Sequence, residues 1–135
     1  MPDLDIIDST WICAPVGVVA AQVAQPANWR RWWPTLELAV VEWRGDKGVR
    51  WEVRPGRGAT GGTMEIWLEP AFDGVVVHHF LRLDAVAGRP LRRRPRERLI
   101  HAHRARTKRA FWALGDQLDP GRLARGTAGR GVAAR

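Results

Sequence analysis

Histidine is the residue type with the widest chemical range in this chain, because imidazole can ligate a metal or transfer a proton near neutral pH. His78 and His79 are adjacent in a strand-like segment, so their side chains are expected on opposite faces. His101 and His103 lie two positions apart in a helical segment and diverge by about 200° around its axis. No Cys or carboxylate stands at metal-ligand spacing beside them. We therefore predict no metal site.

Two of the histidines have apolar neighbours. His79 alternates with Val77, Leu81 and Leu83, which predicts that it points inward from its strand. His103 falls on the apolar stripe of the long helical segment. Each can be a core residue with satisfied polar atoms, or a general acid or base. The spacing supports no Ser-His-Asp or Cys-His arrangement, so His79 and His103 are the candidate catalytic residues.

A glycine-rich segment, Gly56-x-Gly58-x-x-Gly61, matches the spacing of a dinucleotide-binding loop. Such a loop binds pyrophosphate only where a helix N-terminus follows it. Here the following residues, 63–69, alternate between apolar and polar types, which predicts a strand. The segment is interpreted as a hairpin loop, and we predict no nucleotide or other cofactor.

Tryptophan is abundant, with eight Trp and no Tyr. Trp51 alternates with valines and is expected in the core. Trp67 falls on the face of Glu65 and Glu69. That face is either solvated, with an exposed Trp, or part of a surface that binds a ligand or a partner, since Trp suits both settings.

The elements that position these residues follow from periodicity and turn residues. An opening strand over residues 5–12 precedes a helix that begins at Pro15. Asn28 is expected to cap a short second helix bearing three tryptophans. Short turns then join strands that must be antiparallel, because parallel strands need long crossovers. These strands are predicted at 36–43, 49–54, 63–69 and 75–83.

A long helix from Pro95 to Leu118 completes the predicted fold. The order of elements is α+β, and we expect a curved antiparallel sheet around this helix. Such a sheet leaves a space at one end that suits an apolar ligand. Residues 1–120 are predicted to form one domain, and residues 121–135 a disordered basic tail. The inner stripe of the helix is Ile100, His103, Thr107, Phe111, Leu114 and Leu118.

Composition limits the class of protein. A chain of 135 residues that is 45% hydrophobic can build one core without disulfides. No stretch of 18 residues is both uncharged and apolar, so no membrane span is predicted. The acidic start, which lacks an apolar h-region, and the single Cys13 predict a cytoplasmic protein.

The net charge of +8 is concentrated in residues 89–135, which carry +11. The basic outer face of the last helix is either solvated or a weak binding site for phosphates. Only Trp112 stands there as a possible stacking aromatic. We therefore predict weak, non-specific binding of this basic third to nucleic acid or anionic surfaces, and no specific nucleic-acid partner.

Four segments carry a resemblance to a known family: Ile6-x-x-Ser9-Thr10-x-Ile12-x-Ala14-Pro15, Trp29-x-x-Trp32-Trp33-Pro34, Gly62–Pro70 and Asp73–His78. Together they resemble the START-like, Bet v 1-like superfamily, also called SRPBCC or polyketide cyclase/dehydrase and lipid-transport proteins. The resemblance covers residues 5–120 and implies a helix-grip fold with an internal hydrophobic cavity, although five strands are predicted where the superfamily usually has six or seven. It implies no particular catalytic residue, because carriers, cyclases and hydroxylase domains share the scaffold. Gly62–Pro70 and Asp73–His78 resemble an uncharacterised actinobacterial branch of this superfamily.

Two functions are consistent with these residues and with the resemblance. The first is non-catalytic binding of a small hydrophobic or aromatic molecule, lipid- or polyketide-like, by a monomer or homodimer. The second is a polyketide cyclase or aromatase activity that uses His79 or His103 as the proton shuttle. The predicted ligand-binding residues are Trp51, Met64, Ile66, His79, Leu81, His103, Thr107 and Phe111.

Overall fold

The computed structural model describes residues 3–54, 61–84, 89–119 and 121. Most of the glycine-rich segment and nearly all of the predicted tail lie outside the described residues. Of the described helices, none is both long and apolar enough to cross a membrane. The elements in chain order are β1 (Leu4–Ile12), α1 (Val16–Val23), α2 (Pro26–Trp32), β2 (Glu37–Trp43), a 3₁₀ turn (Gly45–Lys47), β3 (Gly48–Arg54), β4 (Gly62–Ala71), β5 (Gly74–Leu83) and α3 (Arg93–Leu118).

Within the described part of the chain, five strands form one antiparallel sheet in the order β1-β5-β4-β3-β2. The sheet is curved, and α3 packs against β1 and also contacts α2. This arrangement confirms the predicted α+β class, the strand number and the helix-grip architecture. Alternate residues of β3, β4 and β5 are buried on the concave side, as the period of two predicts.

The core lies between this concave face and the helices. It joins Val19 and Val23 of α1 to Trp29 and Trp32 of α2 and to Phe111 and Leu114 of α3. The predicted inner stripe of α3 is confirmed, with His103 and Thr107 also buried. Trp51 is fully buried, as predicted.

Two helix starts differ from those predicted by the sequence. α3 begins at Arg93 rather than Pro95, because Pro is tolerated throughout the first turn, where N–H groups have no intrahelical acceptor. α2 begins at Pro26 and ends at Trp32, so Asn28 lies inside the helix and is not its cap. The Asn28 side chain donates from Nδ2 to the carbonyl of Gln22 at 2.8 Å. The helix begins earlier because Pro26 suits the first helical position.

Gly48 begins β3 in a conformation that other residues avoid. Its φ is +126°, and a Cβ placed there would lie 1.9 Å from the carbonyl oxygen of Ile66. Only glycine allows β3 to approach β4 so closely at this position.

Candidate functional site

The structure brings the eight predicted ligand-binding residues into one interior, between the concave face of the sheet and α3. The β4–β5 register places Ile66 opposite His79 and Met64 opposite Leu81, while α3 supplies residues from above. All eight side chains are buried: Trp51, Met64, Ile66, His79, Leu81, His103, Thr107 and Phe111.

The two candidate histidines contact each other. Their Nε2 atoms are 2.8 Å apart, and the rings stack with centroids 5.1 Å apart. Burial lowers the pKa of His79 well below its ordinary value of 6.5, with a further contribution from His103. Burial, followed by the charge of Arg106, lowers the pKa of His103 to about 4. Both rings are therefore neutral at pH 7, and one donates its Nε2–H to the Nε2 of the other.

Trp33 is a site residue that the sequence patterns did not identify. Its side chain is 1% exposed, and its Nε1–H donates to Thr107 Oγ1 at 2.9 Å. The indole is parallel to the His79 ring within 9°, with centroids 5.2 Å apart. Thr107 Oγ1 also lies 3.4 Å from His103 Nε2. The only sequence signal was the Trp-Trp-Pro segment at the end of α2, which does not say where the ring goes.

Aromatic rings surround this polar cluster. Trp33 lies edge-on to Trp51 and to Phe111, with centroids 5.9 and 6.2 Å apart. Trp29 lies edge-on to Trp51 at 5.1 Å. Edge-to-face contacts of this kind favour a fixed arrangement of rings.

Two buried nitrogen atoms in this interior lack hydrogen-bond partners within the described residues. They are Nε1 of Trp51 and Nδ1 of His79. Trp51 is fully buried, so water does not reach its N–H from outside. A buried donor without an acceptor costs about 1–3 kcal/mol. A hydrogen-bond acceptor placed next to Nε1 of Trp51 would remove that cost.

The outer face of the sheet holds a different set of polar residues. His78 points outward, with Nδ1 2.8 Å from Ser9 Oγ and Nε2 3.0 Å from Glu69 Oε1. Trp67 lies on the same face, 38% exposed, with the Arg44 guanidinium 5.6 Å from its ring centroid. The types of Ser9, His78 and Glu69 match a hydrolase triad, but their contacts lie on an exposed face of the sheet. Oxyanion donors are most effective in a site that excludes water, so we assign the trio no catalytic role.

Among the described residues, no three His, Cys, Asp or Glu side chains are grouped as a metal site requires. The histidine pair lies too deep and too apolar to attract a cation, and the groups around it are a hydroxyl and aromatic rings.

Comparisons with known proteins agree with this architecture. The Aha1 dimer from Colwellia psychrerythraea is similar with a TM-score of 0.63 and 13% identity, over 87% of this chain and 98% of that one. A START superfamily protein from Mycobacterium smegmatis is similar with a TM-score of 0.56 and 12% identity, over 85% and 99%. The chain has the START-like fold. Ara h 8.0201 shares this START-like fold, with a TM-score of 0.51 and 10% identity over 78% and 93%.

No family model and no curated protein matches the sequence. The START-like fold that the sequence motifs implied is thus confirmed by structure alone. The actinobacterial branch stays a prediction.

Proposed function

We propose that this START-like chain binds a small hydrophobic or aromatic molecule between the concave face of the sheet and α3, without catalysis. The observation that supports this is the polar cluster of His79, His103 and Thr107 in an interior that is otherwise apolar and aromatic. Packing a helix on a sheet does not need these groups, and each has a desolvation cost. A ligand with an oxygen acceptor on an apolar body would use them, together with the N–H of Trp51, which has no acceptor among the described residues.

Trp33 indicates which kind of group this interior accepts. It places a planar ring against His79 and a donor against Thr107. Trp33 follows the last residue of α2 and has non-helical backbone angles, so its ring can leave without unwinding the helix. In our proposal, a planar ligand takes the place of the Trp33 ring. Burial of its apolar surface then supplies affinity, at about 25 cal/mol per Å² before the cost of association.

Histidine ring signals provide the test. Polyketides, fatty acids and flavonoids are titrated into the chain with ¹⁵N-labelled imidazoles, and tryptophan fluorescence is recorded in parallel. We expect a binding ligand to shift the signals of His79 and His103, and to leave those of His78 and His101 unchanged. His78 faces the outer side and His101 is exposed, so both are internal controls. Shifts confined to these two, or no binding by any probe, would overturn the proposal.

Two variants locate the ligand further. Trp33→Ala removes the ring that fills the interior, so we expect tighter binding of the same probe. Trp67→Ala removes an aromatic ring of similar size from the outer face, and we expect unchanged affinity. The reverse pattern would place the ligand on the outer face.

A second candidate function is a polyketide cyclase or aromatase activity, which the neutral histidine pair favours. A neutral imidazole can accept a proton from a carbon between two carbonyl groups, and the resulting carbanion attacks a third carbonyl to form a ring. The protonated imidazole then returns its proton to the alkoxide before water is lost. This function predicts that His79→Ala and His103→Ala abolish turnover of a poly-β-ketone and leave its affinity nearly unchanged. Parallel loss of turnover and affinity in these variants would show that the two histidines only orient the substrate or pack against it.

A further inference from the structure

A basic groove runs between α2 and α3 on the outside of the molecule, away from the polar interior. Its volume is about 290 Å³, and it shares no residue with the eight predicted ligand-binding positions. The lining residues that define it are Arg31, Trp32, Arg106, Arg109, Ala110 and Ala113. We call this set the α2–α3 groove.

Three guanidinium groups give the α2–α3 groove one sign of charge. Arg31 comes from the last turn of α2, and Arg106 and Arg109 come from α3. Among the described residues, none of the three forms an ion pair with a carboxylate, and no acidic side chain lines the groove. Arg31 donates from Nη2 to Asn28 Oδ1 at 2.8 Å. That neutral contact orients its guanidinium without neutralising the charge.

The floor of the α2–α3 groove is apolar and held in place. Trp32 is 4% exposed and packs edge-on against Phe111 and Trp33, with centroids 5.7 and 5.6 Å apart. Ala110 and Ala113 keep α3 narrow beside it, so the groove remains open. An apolar floor beside three guanidinium groups suits a ligand that is apolar at one end and anionic at the other.

We propose that the α2–α3 groove binds a small organic anion, in which a carboxylate or phosphate is attached to one aromatic ring or a short apolar chain. Arginine forks hold the two oxygens of such a group in paired hydrogen bonds. The volume suits a ligand of about one ring, since pockets for drug-sized ligands begin near about 300 Å³. The site is independent of the proposed interior site, although the charge of Arg106 also acts on His103.

Calorimetric titration with phenyl phosphate and phenylacetate tests the proposal and distinguishes the two anions. Inorganic phosphate carries the charge without the ring, and benzyl alcohol carries the ring without the charge. The two compounds serve as fragment controls. We expect saturable binding of phenyl phosphate or phenylacetate at one site, at least about tenfold tighter than either fragment. Fragment-like affinity for every probe, or no saturation below about 10 mM, would overturn the proposal.

Matched charge variants separate the groove from diffuse attraction by a basic surface. The double variant R106Q/R109Q removes two groove arginines, and R98Q/R104Q removes two exposed arginines of α3 that do not line the groove. We expect binding to weaken about tenfold or more in the first and less than about twofold in the second. Equal weakening in both would show that the net charge alone attracts the anion.

A third variant tests the floor while keeping all the charges. Ala113→Leu adds a side chain of α3 within the α2–α3 groove and is expected to abolish preference for phenyl phosphate over inorganic phosphate. Melting temperatures check that each variant is folded. If Ala113→Leu binds phenyl phosphate as tightly as the parent chain, the groove is not the site.

Discussion

At the scale of single residues, the polar side chains of the interior are held by a small number of deeply buried hydrogen bonds. His79, His103, Thr107 and Trp33 form a connected cluster in which each polar atom has at most one or two partners among the described residues. In such a setting, removal of one partner leaves another group unpaired, at a larger cost than the bond itself contributes. Both the pH dependence of stability and the effect of single substitutions should reflect this burial.

The pH dependence of stability is the first expected consequence. His103 has a pKa of about 4 in the native state and near 6.5 when unfolded, so the unfolded chain binds more protons between these values. The free energy of unfolding should therefore fall as the pH is lowered from about 6.5 to about 4, by up to roughly 3 kcal/mol from His103 alone. The buried His79 acts in the same direction. Urea unfolding at several pH values measures the slope.

Two histidine variants identify the source of that slope. His103→Asn keeps hydrogen-bonding capacity and does not titrate, so its stability should depend less on pH than that of the parent chain. His101→Asn alters an exposed position and should leave the slope unchanged. Identical slopes in the parent and His103→Asn would contradict the prediction.

The Trp33–Thr107 hydrogen bond gives a second prediction. Thr107→Val conserves shape but leaves the buried Nε1–H of Trp33 without its acceptor. We expect a loss of about 1–3 kcal/mol in the free energy of unfolding. In a Trp33→Phe background there is no indole N–H to satisfy, so the same change should cost much less. Chemical denaturation of the four chains completes this double-mutant cycle.

Among the elements, α3 is held to the edge strand β1 by a lysine as well as by apolar packing. Lys108 Nζ lies 2.8 Å from the carbonyl oxygen of Ser9, 2.9 Å from Thr10 Oγ1 and 3.0 Å from Asp8 Oδ2. One ammonium group thus uses all three of its donors on a single strand. Side-chain contacts of this kind position the inner stripe of α3 above the sheet.

A substitution of this lysine tests its contribution. We expect Lys108→Met to lower the free energy of unfolding by roughly 1–2 kcal/mol, since hydrogen bonds to charged groups exceed neutral ones. Arg104→Met removes one positive charge from an exposed position of the same helix and should change stability little. Equal effects in thermal unfolding would show that net charge, not the contact with β1, is responsible.

Two glycines at the β2–β3 connection differ in how much they tolerate a side chain. Gly48→Ala should be severely destabilising, because its Cβ would overlap the backbone of Ile66 and its φ of +126° is strained for alanine. Gly45 has a φ of +58°, and no atom lies within 4 Å of the position that a Cβ would take there. Gly45→Ala should therefore cost only about 1 kcal/mol. The denaturation midpoints of the two variants measure this difference. Equal midpoints would mean that β3 and β4 can separate locally.

Across the whole molecule, charge is distributed unevenly. Residues 89–135 carry a net charge of +11, while the chain as a whole carries +8. This excess of positive charge attracts anions over distances of about a Debye length. The attraction favours association more than it determines which anion binds. Of the described residues of α3, Trp112 offers a large aromatic surface beside the arginines, at 57% exposure.

This distribution predicts weak, non-specific binding to nucleic acid. An electrophoretic shift should be visible at low salt and should vanish near about 150 mM salt, because the binding depends on counterion release. Neutralising Arg92, Arg93 and Arg94 should weaken the shift equally for different sequences. Tight binding that persists at that salt concentration with base preference would contradict the prediction.

Local sequence patterns were enough to establish the order of elements, the buried face of each strand and the inner stripe of α3. Periodicity is a local property, and it says which way a side chain points from its own element. It therefore identified Trp51, His79, His103 and Thr107 as inward-facing. The predicted start of α2 was wrong because Pro26, which suits the first helical position, begins that helix two residues before Asn28.

Which of these inward residues meet could be known only from the folded chain. The distance between two histidines 24 positions apart depends on how α3 lies across β5, and the place of the Trp33 ring depends on the turn after α2. Likewise, Ser9 faces His78 only because β1 pairs with β5 in one register. Periodicity assigns faces within an element, whereas contacts between elements come from packing, and packing is a property of the whole chain.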